Sequence, residues 1–501
     1  MSRRTKIVCT LGPATDGEGR VVELVRAGMD VARLNFSHGD HTEHQRRYDL
    51  VRQAAEKVGR NVAVLADLQG PKIRTGPLEG GIAVELREGE AFTITTRQVP
   101  GDVHCVGTTY EHLHRDLKEG DRVLLADGTM ELKVRHVEDR DVHCWVVRGG
   151  MLGEHKGINL PGVSIQEPSL TAKDREDLAF ALKMGVDYVA LSFVRQPNDI
   201  KFIRECIQEE NGGDVGVIAK IERPEAVDNI NEIVRLSDVI MVARGDLGVE
   251  VSFEDVPVIQ KRLIHECNEA GVPVITATQM MESMTNHPRP TRAEVADVAN
   301  AIYDGTDAVM LSGETAAGCY PIEACGTMAR VAEKADEELA SAPLPERYAR
   351  LRASDLSRRE RRGVNDLPRP HLFADAVGQA VCRMAASLPL QRIVCFTSTG
   401  YTATAIARFR PAIPITAITS NLATCRKAAL IWGVDSVHAD RFKDLDDMVA
   451  GVEELLLREG LSKKGDTVII AAGSPLHVGG RTNLLKLHTL GEEDHLAGHQ
   501  V

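Results

Sequence analysis

Between Thr5 and about Ala340 the chain alternates short apolar runs, rich in Val and Ile, with longer segments whose apolar residues recur three and four apart. A run of four to eight apolar residues fits a strand buried on both faces, and the three-and-four spacing marks a helix laid against such a sheet. Eight such pairs can be counted. Their strand runs are T-K-I-V-C-T from Thr5, V-A-R-L-N-F from Val31, N-V-A-V-L-A-D from Asn61 and Y-V-A-L-S-F from Tyr188, then V-G-V-I-A-K-I-E from Val215, V-I-M-V-A-R from Val239, P-V-I-T-A-T from Pro273 and A-V-M-L-S from Ala308. Eight repeats favour a closed (β/α)8 TIM barrel, spanning 1–70 and 170–341, over an open doubly wound α/β sheet.

One connection has a different texture. From 71 to 169 the pattern alternates, as in A-F-T-I-T-T from Ala91 and E-L-K-V-R-H-V from Glu131, with turn signals at Asp127-Gly128 and Gly149-Gly150. This predicts an inserted small β-barrel domain after the third barrel strand. Leaving and re-entering at the end of the barrel where active sites are built, it is placed to act as a lid, although a passive insertion would read the same way. Residues 342–370 are polar, contain proline and an R-R-E-R-R run from Arg358, and read as a linker without assigned function. A second α/β pattern occupies 371–490, and 491–501 reads as a tail.

Composition narrows the setting. A chain of 501 residues is long enough for two or three domains, and a net charge of −13 without a basic stretch argues against nucleic acid as a partner. Ten scattered cysteines, none spaced C-x-x-C, fit thiols kept reduced. Neither a signal-like apolar segment nor a run long enough to span a membrane is present, so the expected location is cytoplasmic.

Chemistry gathers at the strand ends. On the fifth run Lys220 and Glu222 project to one face, because strand side chains alternate; a salt bridge and a charged binding site both explain the pair. The second run ends in Arg33, Asn35, Ser37 and His38, the third in Asp67, and the last three in Arg244-Gly245-Asp246, Thr278-Gln279 and Ser312-Gly313-Glu314. Six strands offering polar groups at one end are hard to explain by packing. Glu222 and Asp246 on adjacent strands suit a hard cation such as Mg2+, and Arg33 and Lys220 supply the positive charge that phosphoryl transfer calls for. A hydrogen-bonded structural network remains the alternative for the two carboxylates. The Gly245-Asp246-Leu247-Gly248 stretch reads as a flexible turn able to bring N–H groups to an anion.

The runs K-I-V-C-T-L-G-P-A-T from Lys6, A-R-L-N-F-S-H-G from Ala32, I-A-K-I-E from Ile218, V-A-R-G-D-L-G from Val242, A-T-Q-M from Ala277, P-R-P-T-R-A-E from Pro288 and L-S-G-E-T-A from Leu311 resemble those of the pyruvate kinases of the compact bacterial type, over nearly the whole chain. The resemblance implies phosphoryl transfer from phosphoenolpyruvate to ADP, giving pyruvate and ATP. It casts Lys220 as stabilising the phosphoryl group in flight, Arg33 as a phosphate contact, and Glu222 and Asp246 as ligands of Mg2+, with Mn2+ as the other candidate. The Gly245 and Asp246 amides would hold the substrate carboxylate; Thr278 would lie beside the enolate carbon, with Ser312 and Glu314 in the same proton-relay region. Asn35, His38, Arg74 and Lys173 would contact nucleotide phosphates.

In potassium-dependent members Asn35, Ser37, Asp67 and the following carbonyl, here that of Leu68, hold K+, with a glutamate five residues beyond the aspartate. This chain has Lys72 there, and a fixed ammonium would supply the positive charge and repel the ion, so activity without K+ is expected. The C-terminal part resembles the family's regulatory domain, and Thr397, Ser398, Thr399, Gly400, Tyr401 and Thr402 form a strand-to-helix turn suited to a phosphorylated effector such as a sugar phosphate or AMP; a helix cap explains the same residues. The family's usual homotetramer is carried over as an expectation. Two further readings stay open: a Mg2+-dependent barrel lyase or aldolase acting on keto acids, with Lys220 as Schiff-base nucleophile, and a catalytically silent metabolite sensor.

Overall fold

The computed structural model describes residues 3–17, 19–163, 165, 167–341, 369–473 and 482–492. The linker expected at 342–370 lies outside the described residues except for its last two positions, and the tail except for its first two. Eight parallel strands, Lys6–Thr10, Val31–Asn35, Ala63–Asp67, Tyr188–Leu191, Gly216–Ile221, Val239–Ala243, Val274–Ala277 and Ala308–Leu311, close into a barrel in chain order, the first pairing with the eighth. Alternation decides what each strand face meets. Ile7, Cys9, Leu34, Val64, Val217 and Ala219 pack outward beneath the helices. Val8, Leu65, Ala190, Ile218, Met241, Ile275 and Met310 form a separate cluster in the barrel interior.

The surrounding helices start and stop on local signals. Asp40, Thr171 and Thr291 each accept a hydrogen bond from the amide three residues on, while Glu43, Asp174 and Glu294 complete the capping boxes; left-handed Gly59, Gly185 and Gly305 end the same helices.

After the third strand the chain turns at Gly70, whose φ is +69°; a Cβ there would come 2.9 Å from the side chains of Ser192 and Phe193. It then enters a six-stranded sheet running in the order Ile158–Asn159, Arg122–Leu125, Met130–Glu138, Asp141–Arg148, Ala91–Thr95, Cys105–Gly107. Bridges from Arg74 to Gly157 and from Thr75 to Thr108 join the departing chain to both edges of that sheet, so it closes on itself around Phe92, Ile94, Val123, Leu132 and Val142. Asn159 Nδ2 reaches Glu250 Oε1 on the barrel at 3.3 Å.

The C-terminal sheet has five strands, in the order Val434–His438, Ile415–Thr419, Arg392–Phe396, Thr467–Ala472, Leu484–Thr489, the last antiparallel. It docks on the barrel floor. Ala429 and Leu430 belong to the same cluster as the barrel-interior residues. Lys6 Nζ donates to the Val434 carbonyl at 2.7 Å, and Arg426 pairs with buried Asp187 at 2.7 Å. No helix among the described residues is long and apolar enough to cross a membrane.

Candidate active site

Strand parity places the functional side chains. Ile218 points into the barrel, so Lys220 and Glu222, two and four residues on, continue the inward row and emerge at the mouth. Lys220 Nζ lies 2.8 Å from Glu222 Oε1, 3.3 Å from Asp67 Oδ1 and 2.7 Å from Ser192 Oγ. The salt bridge considered from the sequence is therefore present, as one side of a larger cluster. Burial alone would lower the Lys220 pKa, but the carboxylates of Asp67, Glu222 and Asp246 outweigh it and raise it. Its carboxylate neighbours favour the charged form, which suits pairing with an anion better than Schiff-base attack.

Glu222 itself is pushed up by burial, with Asp246 adding like-charge repulsion against the pull of Lys220. Its Oε2 accepts from the Phe193 amide at 2.7 Å. Oε1 touches Lys220 as an ion contact but has no aligned hydrogen bond. A buried carboxylate oxygen whose one close partner is an ammonium, with the half-buried Asp246 carboxylate near enough to repel it, is a donor set that a divalent hard cation fits.

Arg33 is fixed beside this cluster: Nε donates to Asp67 Oδ2 at 2.7 Å and a terminal nitrogen to Thr10 Oγ1 at 2.9 Å. Burial raises the Asp67 carboxyl, but Lys220 and Arg33 more than reverse this and hold it below its ordinary value. His38 is lowered, first by burial and then by Arg74, Lys72 and Arg33. Four cationic or potentially cationic groups thus converge from the second strand end and the lid hinge, an arrangement that a polyanion would relieve.

Thr278 carries backbone strain. Its φ is +67°, followed by +54° at Gln279, a left-handed conformation that β-branched residues rarely adopt. Its carbonyl accepts from Arg244 at 2.6 Å; its hydroxyl donates to the Ala277 carbonyl and accepts from the Gly245 amide, both at 2.7 Å. The stretch expected as a flexible turn at Gly245–Gly248 is instead part of a short helix, Arg244–Glu250, and its Gly245 amide is already bonded to Thr278. Sequence reading took the two glycines as turn markers; Leu247 buried against the core turns the segment helical.

Glu314 is buried, which raises its pKa, and its two oxygens accept from the Ser312 and Met281 amides at 2.7 and 3.1 Å. Ser312 Oγ has no hydrogen-bond partner among the described residues. Asn35 Oδ1 accepts from the Ser37 amide at 3.2 Å, and the Leu68 carbonyl accepts from Ser192 Oγ at 2.7 Å. Lys72 is half-buried, with no ion-pair partner among the described residues. Arg74 donates to the His155 carbonyl at 3.2 Å, and Lys173 binds the Phe36 carbonyl and Asp177.

In the C-terminal domain Thr397 Oγ1 accepts from the Gly400 amide at 2.8 Å, the Ser398 carbonyl accepts from Thr424 at 2.8 Å, and the Thr402 hydroxyl lies 2.8 Å from that of Thr482. Ser398 and Thr399 are exposed, and Tyr401 begins the following helix.

Two mouth residues escaped the sequence reading, Thr10 and Ser192. Both sit on the inward parity of their strands, two beyond Val8 and Ala190, so extending the alternation one step past each apolar run would have found them.

The family model described as pyruvate kinase, barrel domain, matches residues 2–325, and that described as pyruvate kinase, alpha/beta domain, matches 375–488. The chain is 46% identical to a pyruvate kinase of Geobacillus stearothermophilus over 98% of its own length and 81% of that protein's. It is 42% identical to one of Clostridium perfringens over 97% and 100% of the two lengths. A crystal structure of a pyruvate kinase from Cryptosporidium parvum superposes with a TM-score of 0.88 at 37% identity, covering 97% of this chain and 96% of that one. Fold and comparisons agree: this chain belongs to the pyruvate kinase family and is a phosphotransferase.

Proposed function

We propose that the barrel mouth carries the phosphoryl group of phosphoenolpyruvate to ADP, yielding pyruvate and ATP, with Mg2+ and without K+. The observation that carries this reading is the buried ammonium of Lys220 paired with Glu222 Oε1 at 2.8 Å, with Arg33 fixed next to it. The bond from phosphorus to the enol oxygen breaks, a bond to a terminal ADP oxygen forms, and the enolate carbon takes up a proton. Lys220 and Arg33, both already oriented, lower the cost of charge on the phosphoryl oxygens as it passes between acceptor and donor. Glu222 and Asp246 would hold Mg2+, or Mn2+ in its place, which when bound neutralises phosphate and substrate charge.

Asn35, His38, Arg74 and Lys173 would receive the nucleotide phosphates, and the Gly245 and Asp246 amides the substrate carboxylate, once Thr278 releases the Gly245 amide. Thr278, with Ser312 and Glu314 behind it, would deliver the proton through water. Lys72 takes the place of a monovalent ion at Asn35, Ser37, Asp67 and the Leu68 carbonyl. Residues 71–169 act as the lid on a barrel of 1–70 and 170–341, and 371–490 as a regulatory domain that takes a phosphorylated effector, a sugar phosphate or AMP, at Thr397–Thr402. The enzyme works as a cytoplasmic homotetramer.

A coupled assay of ADP-dependent pyruvate release tests the central claim. Lys220→Met should lower turnover by about 100-fold or more while KM for phosphoenolpyruvate moves only a few-fold, the signature of an interaction made in the transition state. Loss of stability with near-normal turnover would return Lys220 to a structural role. Run with a large organic cation in place of K+, wild type should keep its rate, and Lys72→Glu should become K+-dependent. Strong K+ activation of the wild type would refute the substitution argument.

A further inference from the structure

Outside the barrel, one cluster of side chains on the lid has the donor set of a metal site. In the hairpin formed by Met130–Glu138 and Asp141–Arg148, His136 lies directly across from His143. Glu138, two residues beyond His136, shares its face. One ligand atom from each of the three lies within 4.8 Å of the others. The two imidazoles stack with centroids 4.5 Å apart and planes 20° from parallel, so both rings are held over the same patch. On the next strand Thr93 is in register with His143, its Oγ1 3.1 Å from Nδ1. In the tautomer that donates from Nδ1 to that hydroxyl, the Nε2 lone pair is left for a metal, the way ligating histidines are commonly oriented. At the hairpin end Arg97 pairs with Asp139 and Asp141, at 2.7 and 2.6 Å, which occupies the neighbouring carboxylates.

We propose that His136, Glu138 and His143 bind a borderline-soft divalent metal ion, Zn2+ or its analogue Co2+, on the outer face of the lid. Two imidazoles and one carboxylate select such ions over Mg2+, which distinguishes this site from the all-oxygen pair Glu222 and Asp246. The strand pairing fixes the three backbones, so side-chain rotation alone has to bring the donors to about 2.0–2.2 Å from the ion, with water as the fourth ligand. Bound there, the ion links the two long lid strands. It acts on the stability of the lid and takes no part in the barrel chemistry.

Full-length protein in excess Mg2+ would be titrated with Co2+, read by its visible ligand-field bands, and with Zn2+ in competition with a chromophoric chelator. Wild type should bind one more equivalent than the His136→Ala/His143→Ala variant, and Zn2+ should raise the thermal midpoint of wild type alone. Thr93→Val, which loses only the positioning contact, should bind about tenfold more weakly. Pyruvate release in Mg2+ without Zn2+ should match in all three proteins, confirming that the substitutions at exposed His136 and half-buried His143 and Thr93 leave the fold intact. Equal stoichiometry and affinity in wild type and the double variant would overturn the assignment.

Discussion

Thr278 concentrates two costs in one residue: a β-branched side chain at φ +67° and a hydroxyl that serves the Ala277 carbonyl and the Gly245 amide together. Strain of this kind persists where surrounding bonds over-determine it, here the Arg244 contact to the Thr278 carbonyl as well as the two hydroxyl bonds. The hydroxyl and the branch can be separated. Thr278→Val keeps the shape and strands the Gly245 amide, so it should cost about 1–3 kcal/mol in urea unfolding and reduce turnover. Thr278→Ser keeps both bonds and sheds the branch; it should hold or exceed wild-type stability and retain most activity. Equal midpoints for the two variants would show that the hydroxyl is not what holds the strained backbone.

At the scale of elements, the mouth is made where the second strand end meets the lid hinge, and His38 reports on that meeting. Burial together with Arg74, Lys72 and Arg33 holds its pKa below the ordinary 6.5. The unfolded chain therefore binds a proton that the folded one refuses in the window just below 6.5, and stability falls as pH drops through that window. A bound polyphosphate offsets the cations and raises the His38 pKa, so binding should take up protons. Calorimetry of ADP binding near pH 6, in buffers of different ionisation heat, should show greater proton uptake for wild type than for His38→Gln; identical uptake would mean that the anion does not reach His38. How much of this was readable beforehand follows from parity. Eight apolar runs alternating with helical segments identified the barrel, and strand parity put Lys220 and Glu222 on one face; that this face, with Asp67, is the inward one came from the closed barrel. Ser192 follows the same rule but looks like an ordinary strand-end hydroxyl until Lys220 is seen 2.7 Å away. Contacts between distant segments, such as the cations gathered on His38 or Glu314 bracing the Met281 amide, have no local sequence signal at all.

At the scale of the whole molecule, the barrel floor is completed by another domain. Leu430 is fully buried among Val8, Leu65, Ile218 and Met241, so the C-terminal domain supplies part of the barrel's own core. Polar contacts ring this plug: Lys6 to the Val434 carbonyl, Tyr188 to the Lys427 carbonyl at 2.9 Å, and Arg426 to Asp187. The apolar and charged parts of the interface should respond differently to deletion. When Arg426 is removed Asp187 keeps Arg52 at 2.7 Å and the Val64 amide at 2.8 Å, both on Oδ2, and water entering where the 31% exposed Arg426 side chain stood can reach Oδ1, so the charge stays paired and Arg426→Ala should cost little. Leu430→Ala opens a cavity between two rigid domains that cannot both relax into it, and should cost about 2–5 kcal/mol. Urea unfolding followed separately in the barrel and in the C-terminal domain decides the point. Both signals should shift to lower urea together for Leu430→Ala and hardly at all for Arg426→Ala. A shift confined to the C-terminal signal would mean that the barrel core is complete without its plug.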